Sequence, residues 1–342
     1  MNVDISSTIG GIKLSSPLIL GSFDSIISAD VLIRCFDICG DSLGAVVTKS
    51  TTINPRQGYP DPKVSRFGDG LLVASGNCNP GIDVMASEVR QFKAQFSDPV
   101  VFGSIVSDPD HPQRDLAEEY CFLALEYATA GVDGLELNLS CPHLDPREKE
   151  QTIVPAQDKT LVGQLISEVK SSLSRAGYDS CLVIPKLTGW NCNPTEVALS
   201  AGQAGADAVT LSNLFPGTGY HTRTGVDHEI GDYLVAHGKG GYSGKAMHSA
   251  VLMMIETLRK HFEIPVIGTG GCSSDLDSLV QTFMAGAVAV ESVTPFYFRA
   301  LNEMETLLGI NELMEQLKGF LEHHGLENLD SLYQIRKNRG FS

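Results

Sequence analysis

Short apolar runs bounded by glycine or polar residues recur along the whole chain. Eight such runs occupy residues 17–21, 44–49, 99–103, 134–138, 182–186, 207–211, 265–268 and 287–290. Runs of this length are typical of parallel strands that are buried on both faces. Most stretches between them have the apolar spacing of helices, as in 118–130, 161–174, 195–204 and 249–262. This alternation predicts an α/β fold, a (β/α)8 TIM barrel, although an open doubly wound sheet would produce a similar pattern.

Two segments between these elements are unusually long. Residues 51–96 follow the second predicted strand, and residues 213–244 follow the sixth. The first is interrupted by proline and glycine, and the second is rich in glycine. Loops of this length are usually functional or mobile. The sequence therefore predicts long loops after strands two and six, at the carboxyl ends of the strands, where barrel enzymes build their active sites.

The composition fits one folded unit with a large core. Of the 342 residues, 42% are hydrophobic and 19% are charged, which excludes a disordered chain. A prior of roughly 150 residues per domain would suggest two domains, but a TIM barrel with long loops reaches this length alone. We therefore expect residues 1–342 to form a single domain. No apolar run approaches the roughly 20 residues that span a bilayer, and the N-terminus does not resemble a signal peptide.

Charge and cysteine content narrow the class of partner. The formal net charge is −16, from 25 basic and 41 acidic residues. Such a chain repels nucleic acid and anionic lipid, so we expect a small-molecule substrate and neither nucleic acid nor membrane as a partner. Eight cysteines are scattered without a Cys-x-x-Cys pair, which excludes the spacing of structural zinc and iron–sulfur sites. No metal is predicted, and we expect reduced thiols in a cytoplasmic protein.

Polar residues stand at the ends of the predicted strands. Ser22, Lys49, Asn138, Lys186 and Asn213 each follow or close an apolar run. A lysine is expensive to bury at such a position unless it meets an anion. Either lysine alone would be interpreted as a surface residue, but two lysines on different strands of one barrel converge on its mouth. Together they predict a functional site.

A thiol and two glycine segments add chemistry at the same end. Cys141 lies in a polar loop three residues past Asn138, where it could act as an acid or base. His143 is either a neighbour that tunes this thiol or a surface histidine. The glycines of 268–271, after strand seven, offer backbone N–H groups where barrels commonly bind phosphate. The segment 240–244 either holds the other side of that phosphate or is a flexible loop.

Several short strings resemble the class 1 dihydroorotate dehydrogenase family. They occur in the family's order and cover nearly the whole chain, and the first is the most specific: Asn138-Leu-Ser-Cys-Pro142, Thr48-Lys-Ser50, Asn54-Pro-Arg56, Asn79-Pro-Gly81, Pro185-Lys-Leu187 and Gly268-Thr-Gly-Gly271. The resemblance implies a barrel that holds FMN over its carboxyl-terminal mouth. It also implies a redox reaction at a carbon–carbon bond beside a carbonyl, and a homodimer.

The resemblance also implies roles for individual residues. Cys141 occupies the position of the catalytic acid or base. Lys49 would be a second catalytic residue and would also contact the flavin ring. Lys186 would lie at the pyrimidine edge of the flavin ring, where a cation stabilises the anionic reduced form. The cofactor-binding residues implied are Gly21, Ser22, Lys49, Ser50, Asn138, Lys186, Ser212, Gly244, Gly270, Gly271 and Thr294.

The substrate-binding positions depart from the family's pattern. The expected set comprises Asn138, Asn213, Val73, His143 and Leu214. Val73 and His143 stand where relatives that use orotate carry asparagine, and Leu214 stands where they carry a hydroxyl residue. Val293, directly before Thr294, stands where the family carries a glycine. Each lost hydrogen bond to a charged or buried group costs roughly 1.5–3 kcal/mol, so the sequence predicts an enone, enamide or pyrimidine-like substrate other than orotate.

Three alternatives remain open at this stage. Within the family, the chain could be a true dihydroorotate dehydrogenase of pyrimidine biosynthesis. It could also be a barrel that binds FMN or another phosphate ligand without turnover, although a binder has no need of Cys141. A third hypothesis is that the chain is an isomerase that acts on a sugar phosphate. If the chain catalyses a redox reaction, its electron donor or acceptor is an external one, such as fumarate, NAD(P)H, oxygen or a second subunit. The chain lacks the cysteine cluster that would bind an iron–sulfur centre of its own.

Overall fold

The computed structural model describes residues 3–108, 115–141, 154–222, 229–294 and 303–338, with the side chains of the last segment described from Leu307 onward. His143 and the loop around it lie outside the described residues. The strands, in chain order, are β1 Ser7–Ile9, β2 Ile12–Leu14, β3 Leu18–Leu20, β4 Ala45–Val47, β5 Val64–Phe67, β6 Gly70–Val73, β7 Val100–Ile105, β8 Gly134–Asn138, β9 Leu182–Lys186, β10 Val209–Leu211, β11 Phe215–Gly217, β12 Gly240–Gly244, β13 Val266–Gly268 and β14 Ala289–Ser292.

Eight of these strands close into a parallel barrel in the order β3, β4, β7, β8, β9, β10, β13 and β14. The ring closes where β14 pairs with β3, with Glu291 opposite Ile19. All eight are the apolar runs of the sequence, so the predicted TIM barrel is confirmed and the open sheet is excluded. Their side chains are almost entirely buried because they face either the barrel interior or the surrounding helices.

Helices follow the barrel strands and pack around them. They are α1 Ala29–Cys39, α2 Ile82–Gln95, α3 Leu116–Ala130, α4 Lys159–Arg175, α5 Pro194–Gln203, α6 His248–His261, α7 Leu276–Ala285, α8 Glu303–His323 and α9 Asp330–Asn338. Local signals set their ends, as in α3, where the Asp115 side chain accepts from the Ala117 N–H and Gly131 adopts the left-handed conformation. None of the helices within the described ranges is both long and apolar enough to cross a membrane.

The long segments predicted after the second and sixth barrel strands are present, and they also contain regular structure that the sequence did not predict. They pair with each other in a four-stranded antiparallel sheet of order β11–β12–β6–β5, with Val73 opposite Gly241. Helix α2 also lies inside the first segment. The strands are three to five residues long, and β12 reads Gly-Gly-Tyr-Ser-Gly, without apolar alternation. This sheet adjoins the carboxyl-terminal mouth of the barrel, because β11 and β12 follow the carboxyl end of β10 in sequence.

A hairpin covers the opposite end of the barrel. Strands β1 and β2 pair antiparallel, and Ile9 and Leu14 pack in one cluster with Ala45, Val100 and Leu182, which begin barrel strands. These side chains are nearly fully buried, so the interior is a packed core rather than a channel. The space for a ligand is therefore at the carboxyl-terminal mouth.

Candidate active site

One cavity at the carboxyl ends of the strands collects most of the residues that the sequence predicted. Its lining includes Ser22, Lys49, Ser50, Val73, Asn138, Cys141, Lys186, Ser212, Asn213, Leu214, Gly270, Gly271 and Thr294. Gly21 and Gly244 lie next to lining residues without lining the cavity themselves. These positions are brought together because each follows a barrel strand or lies in the antiparallel sheet above the mouth.

A chain of short polar side chains crosses the floor of the cavity. Ser22 Oγ accepts a hydrogen bond from the Ser50 backbone N–H at 2.9 Å, and Ser50 Oγ accepts one from Asn138 Nδ2 at 3.0 Å. Asn213 Nδ2 in turn donates to Asn138 Oδ1 at 3.0 Å and to Ser140 Oγ at 3.0 Å. The network joins the ends of four barrel strands and fixes both asparagine side chains at the cavity wall.

Lys49 follows β4 and is paired with a carboxylate that the sequence analysis did not single out. Its Nζ forms an ion pair with Asp24, which lies two residues past Ser22 and also lines the cavity. Lys49 is 6% exposed. A buried ammonium group is stable only beside an anionic partner. The burial of Lys49 that the sequence predicted therefore also implied a nearby acidic residue.

Lys186 lies between two glutamates inside the barrel mouth. Its Nζ is 2.6 Å from Glu291 Oε2 and 3.2 Å from Glu136 Oε1. Burial raises the pKa of Glu136, as does repulsion from Glu291, and Lys186 offsets part of that increase. Burial alone would lower the pKa of Lys186, but attraction to the two carboxylates raises it above its ordinary value. The lysine therefore stays protonated at neutral pH.

Cys141 lies at the cavity wall next to another residue that was not predicted. Its Sγ is within 3.1 Å of Asn77 Oδ1, and Asn77 is buried with a φ of 53°. Burial raises the pKa of the Cys141 thiol, while the positive charge of Lys49 acts to lower it. The net direction is upward, so the group is a thiol at neutral pH and is suited to donating a proton.

The two glycine segments predicted to hold a phosphate lie side by side. Gly244, Gly270 and Gly271 have φ values of 119°, 88° and 86°, which side chains rarely adopt. A Cβ at Gly271 would lie 2.6 Å from the Gly244 carbonyl oxygen, so the two backbones approach each other closely. The hydroxyls of Ser243 and Thr294, 2.7 Å apart, flank the same corner. This arrangement is open to an anionic group through backbone N–H groups.

The dihydroorotate dehydrogenase family model matches residues 6–317. The chain belongs to the dihydroorotate dehydrogenase family. It is 30% identical over 295 residues to the dihydroorotate dehydrogenase A (fumarate) of Lactiplantibacillus plantarum, covering 86% of this chain and 87% of that protein. It is also 30% identical over 322 residues to the dihydroorotate dehydrogenase B (NAD(+)), catalytic subunit, of Pyrococcus furiosus, covering 94% of this chain and 95% of the relative.

A third relative extends the match over almost the entire chain. The corresponding catalytic subunit of Thermoplasma volcanium is 30% identical over 337 residues, which is 98% of this chain and 99% of that protein. The resemblance based on short strings is thus confirmed. The dihydroorotate dehydrogenase family consists of oxidoreductases that act on CH–CH groups and generally depend on FMN, so this chain is an oxidoreductase of that kind.

One wall of this cavity is apolar. Val64, Leu71 and Val73 reach it from β5 and β6, and Leu214 reaches it from the segment after β10. Val293 lines the cavity next to Thr294. The polar network and this apolar wall belong to the same space, so a bound molecule meets amides on one part of its surface and aliphatic carbon on another.

The site residues that the sequence analysis missed differ in how clearly the sequence marks them. Glu136 could have been predicted as a site residue, because an acidic residue inside the apolar run 134–138 is as costly to bury as a lysine. Glu291 directly follows the last apolar run and carried the same signal. Asn77 left none, since its contact with Cys141 spans 64 residues of sequence.

Proposed function

We propose that the chain is an FMN-dependent oxidoreductase that acts on a carbon–carbon single or double bond beside a carbonyl, with a substrate other than orotate. The observation that carries this proposal is the division of the cavity. Its polar half contains Lys49, Asn138, Cys141 and Lys186, whereas its substrate side contains aliphatic residues at positions where relatives that use orotate are expected to be polar. Family membership supports the type of reaction, and the apolar wall supports the change of substrate.

The residues present fit FMN. The backbones around Gly244, Gly270 and Gly271 would hold the phosphate, and the close approach of these glycines leaves no room for a Cβ at Gly271. Lys49 and Ser50 would contact the flavin ring, and Lys186 would supply a fixed positive charge at its pyrimidine edge. Ser22, Asn138, Ser212 and Thr294 complete the lining. When bound, FMN supplies a site that exchanges a hydride with a substrate carbon.

The chain's own residues would carry out the proton transfer that accompanies the hydride transfer. In the reducing direction, the Cys141 thiol donates its proton to the carbon beside the carbonyl, while the neighbouring carbon receives the hydride. In the oxidising direction the same S–H bond forms again as that carbon loses its proton. Lys49 and Asn77 act on the pKa of the thiol. Asn138 and Asn213 line the cavity, and Asn138, whose Nδ2 donates only once within the network, would bind the carbonyl of the substrate.

The apolar wall determines the expected substrate. Orotate carries a carboxylate and several ring donors and acceptors, and each buried group without a partner costs roughly 1–3 kcal/mol. Val73 and Leu214 offer no hydrogen bonds, so orotate would bind weakly. An enone, enamide or pyrimidine-like compound with an apolar substituent would place carbon against this wall and a carbonyl against the asparagines.

An anaerobic visible absorption spectrum, recorded before and after adding dihydroorotate, tests the proposal. We expect a yellow protein whose flavin band does not bleach with dihydroorotate but does respond to a compound found by screening enones and pyrimidines. A protein that takes up no FMN would refute the proposed cofactor. Rapid bleaching by dihydroorotate would refute the proposed substrate only.

True dihydroorotate dehydrogenase activity is the second candidate, because the relatives named above bear that name. The double variant Val73→Asn with Leu214→Ser separates the two. If orotate is not the substrate, restoring an amide and a hydroxyl to the apolar wall should increase flavin reduction by dihydroorotate relative to the wild type. If the wild type already uses dihydroorotate, the double variant should gain nothing.

Further parts of the proposal concern assembly and partners. We propose a single-domain chain that forms a homodimer in the cytoplasm and exchanges electrons with an external donor or acceptor. Relatives named for fumarate and for NAD(+) support two different acceptors, and the name "catalytic subunit" supports a second chain in some family members. A barrel that binds FMN without turnover is less well supported, because a mere binder has no use for Cys141.

A further inference from the structure

Three charged side chains meet inside the barrel from three different strands. Glu136 on β8, Lys186 on β9 and Glu291 on β14 are 3%, 8% and 3% exposed. Lys186 Nζ contacts Glu291 Oε2 at 2.6 Å and Glu136 Oε1 at 3.2 Å, so the two carboxyl groups flank one nitrogen. Thr210 on β10 donates to Glu136 Oε2 at 3.3 Å. The cluster therefore contains two carboxyl groups and one ammonium.

The charges of this cluster do not balance unless one carboxyl group is protonated. A single ammonium neutralises one carboxylate, and a second unpaired carboxylate in a buried site costs several kcal/mol. Two carboxyl groups that share one ammonium cannot both ionise easily. Burial and repulsion from Glu291 raise the pKa of Glu136, so Glu136 is the group that keeps a proton.

The cluster also faces the cavity. Lys186 and Glu291 are part of its lining, and Glu291 packs against Gly21, where a Cβ would lie 3.0 Å from Glu291 Cγ. Glu291 Oε1 is buried and has no hydrogen-bond partner among the described residues. This oxygen is the unused acceptor of the cluster, and it belongs to a residue at the cavity wall.

We propose that Glu136, held beside Lys186 and Glu291, loses its proton above neutral pH and regains it when the cofactor in the cavity gains electrons. The inference rests on the proposed FMN function. Two electrons arriving as a hydride from a dihydro compound add negative charge beside Lys186. A proton from solvent then forms an O–H bond on Glu136 and compensates that charge. On reoxidation the hydride leaves to an electron acceptor, and the same O–H bond breaks.

The neighbouring titratable groups do not account for this proton. Lys186 is already protonated, because the two carboxylates raise its pKa. Cys141, also at the mouth, remains a thiol because burial raises its pKa. Thr210 does not titrate, and Lys49 is a cation paired with Asp24. Among the described residues, the charged groups that act on Glu136 are therefore Lys186 and Glu291.

The test measures the midpoint potential of the FMN-loaded protein as a function of pH. The slope gives the number of protons taken up per two electrons. For the wild type we expect about two over an interval above neutral pH, and for Glu291→Gln about one across the whole range. Glu136→Gln is a second variant with the same expected slope, which keeps the test open if the first variant does not fold.

Glu196→Gln is the matched control, because Glu196 also pairs with a lysine, Lys159 at 2.7 Å, but on the surface. It should retain the wild-type slope. Equal slopes in the wild type and in both buried variants would overturn the inference while leaving the FMN function intact. Failure of the wild-type protein to bind FMN would overturn the proposed function and the inference together.

Discussion

Cys141 is the residue on which the proposed chemistry depends most directly. The Cys141→Ala variant should retain FMN, because Lys49, Lys186 and the glycine segments are untouched, but should lose about 10²–10⁴-fold in turnover. Steady-state assays with the substrate and a flavin absorption spectrum measure the two effects. Cys192→Ala is the control, since the Cys192 thiol contacts the Thr188 carbonyl outside the cavity lining and should not affect turnover. Full activity of Cys141→Ala would exclude the thiol as acid or base.

Asn77 should set the pH at which Cys141 works. In the reducing direction the rate requires the protonated thiol, so it should fall as pH rises through the raised pKa of Cys141. The Asn77 amide oxygen accepts a hydrogen bond from the thiol and so favours the protonated form, and its removal should move the alkaline limb to lower pH. Asn77→Gly is the suitable variant, because glycine accepts the φ of 53°. A pH–rate profile identical to the wild type would show that Asn77 only supports the loop.

At this scale the sequence predicted cavity residues better than their partners. Lys49, Asn138, Cys141 and Lys186 were recognisable because each combines a costly or reactive side chain with the end of an apolar strand. Asp24 and Asn77 were not, since the choice of partner depends on contacts between loops that are distant in sequence. A buried ion pair needs both members, but the sequence marks only the member that sits in an apolar run.

The antiparallel sheet β11–β12–β6–β5 is the element that the sequence did not predict. Apolar alternation identifies a strand only when the strand has several side chains on each face, and β12 contains three glycines in five residues. Glycine is needed where the backbones of β6 and β12 approach each other closely. Gly70 pairs with Gly244 across β6 and β12, and a Cβ at Gly70 would overlap the Ser243 carbonyl oxygen.

Gly70→Ala should therefore disturb this sheet. We expect a loss of about 1–3 kcal/mol in the free energy of unfolding, together with weaker FMN binding, because the segment that includes Ser243 and Gly244 must shift. Urea unfolding and a flavin titration measure the two effects. Gly217→Ala in β11 of the same sheet is the control, since its Cβ would meet neighbours no closer than 3.4 Å. Equal effects of both substitutions would contradict the packing argument.

For the whole molecule, the buried carboxyl pair predicts how stability changes with pH. Folded Glu136 keeps its proton at pH values where an unfolded glutamate, with an ordinary pKa of about 4.3, has lost it. Unfolding then releases a proton, so the free energy of unfolding should fall by up to about 1.4 kcal/mol per pH unit between the ordinary and the raised pKa. Glu136→Gln lacks this contribution.

Denaturant unfolding of both proteins across this pH interval measures the difference. The wild type should lose stability relative to Glu136→Gln as the pH rises, and the curves should become parallel once folded Glu136 also ionises. Parallel curves throughout would show that Glu136 titrates normally in the folded protein. The eight apolar runs predicted the barrel strands, with an open sheet as the alternative, but this pairing of charges appears only when β8, β9 and β14 are placed in the closed ring.

The β1–β2 hairpin has a kinetic consequence. Among the described residues, Ile9 and Leu14 close the amino end of the barrel, and the cavity lies at the opposite end. A dihydro compound and a small-molecule electron acceptor would then use the same entrance and occupy the same space in turn. The first product must depart before the second reactant arrives, so double-reciprocal plots at several acceptor concentrations should give parallel lines.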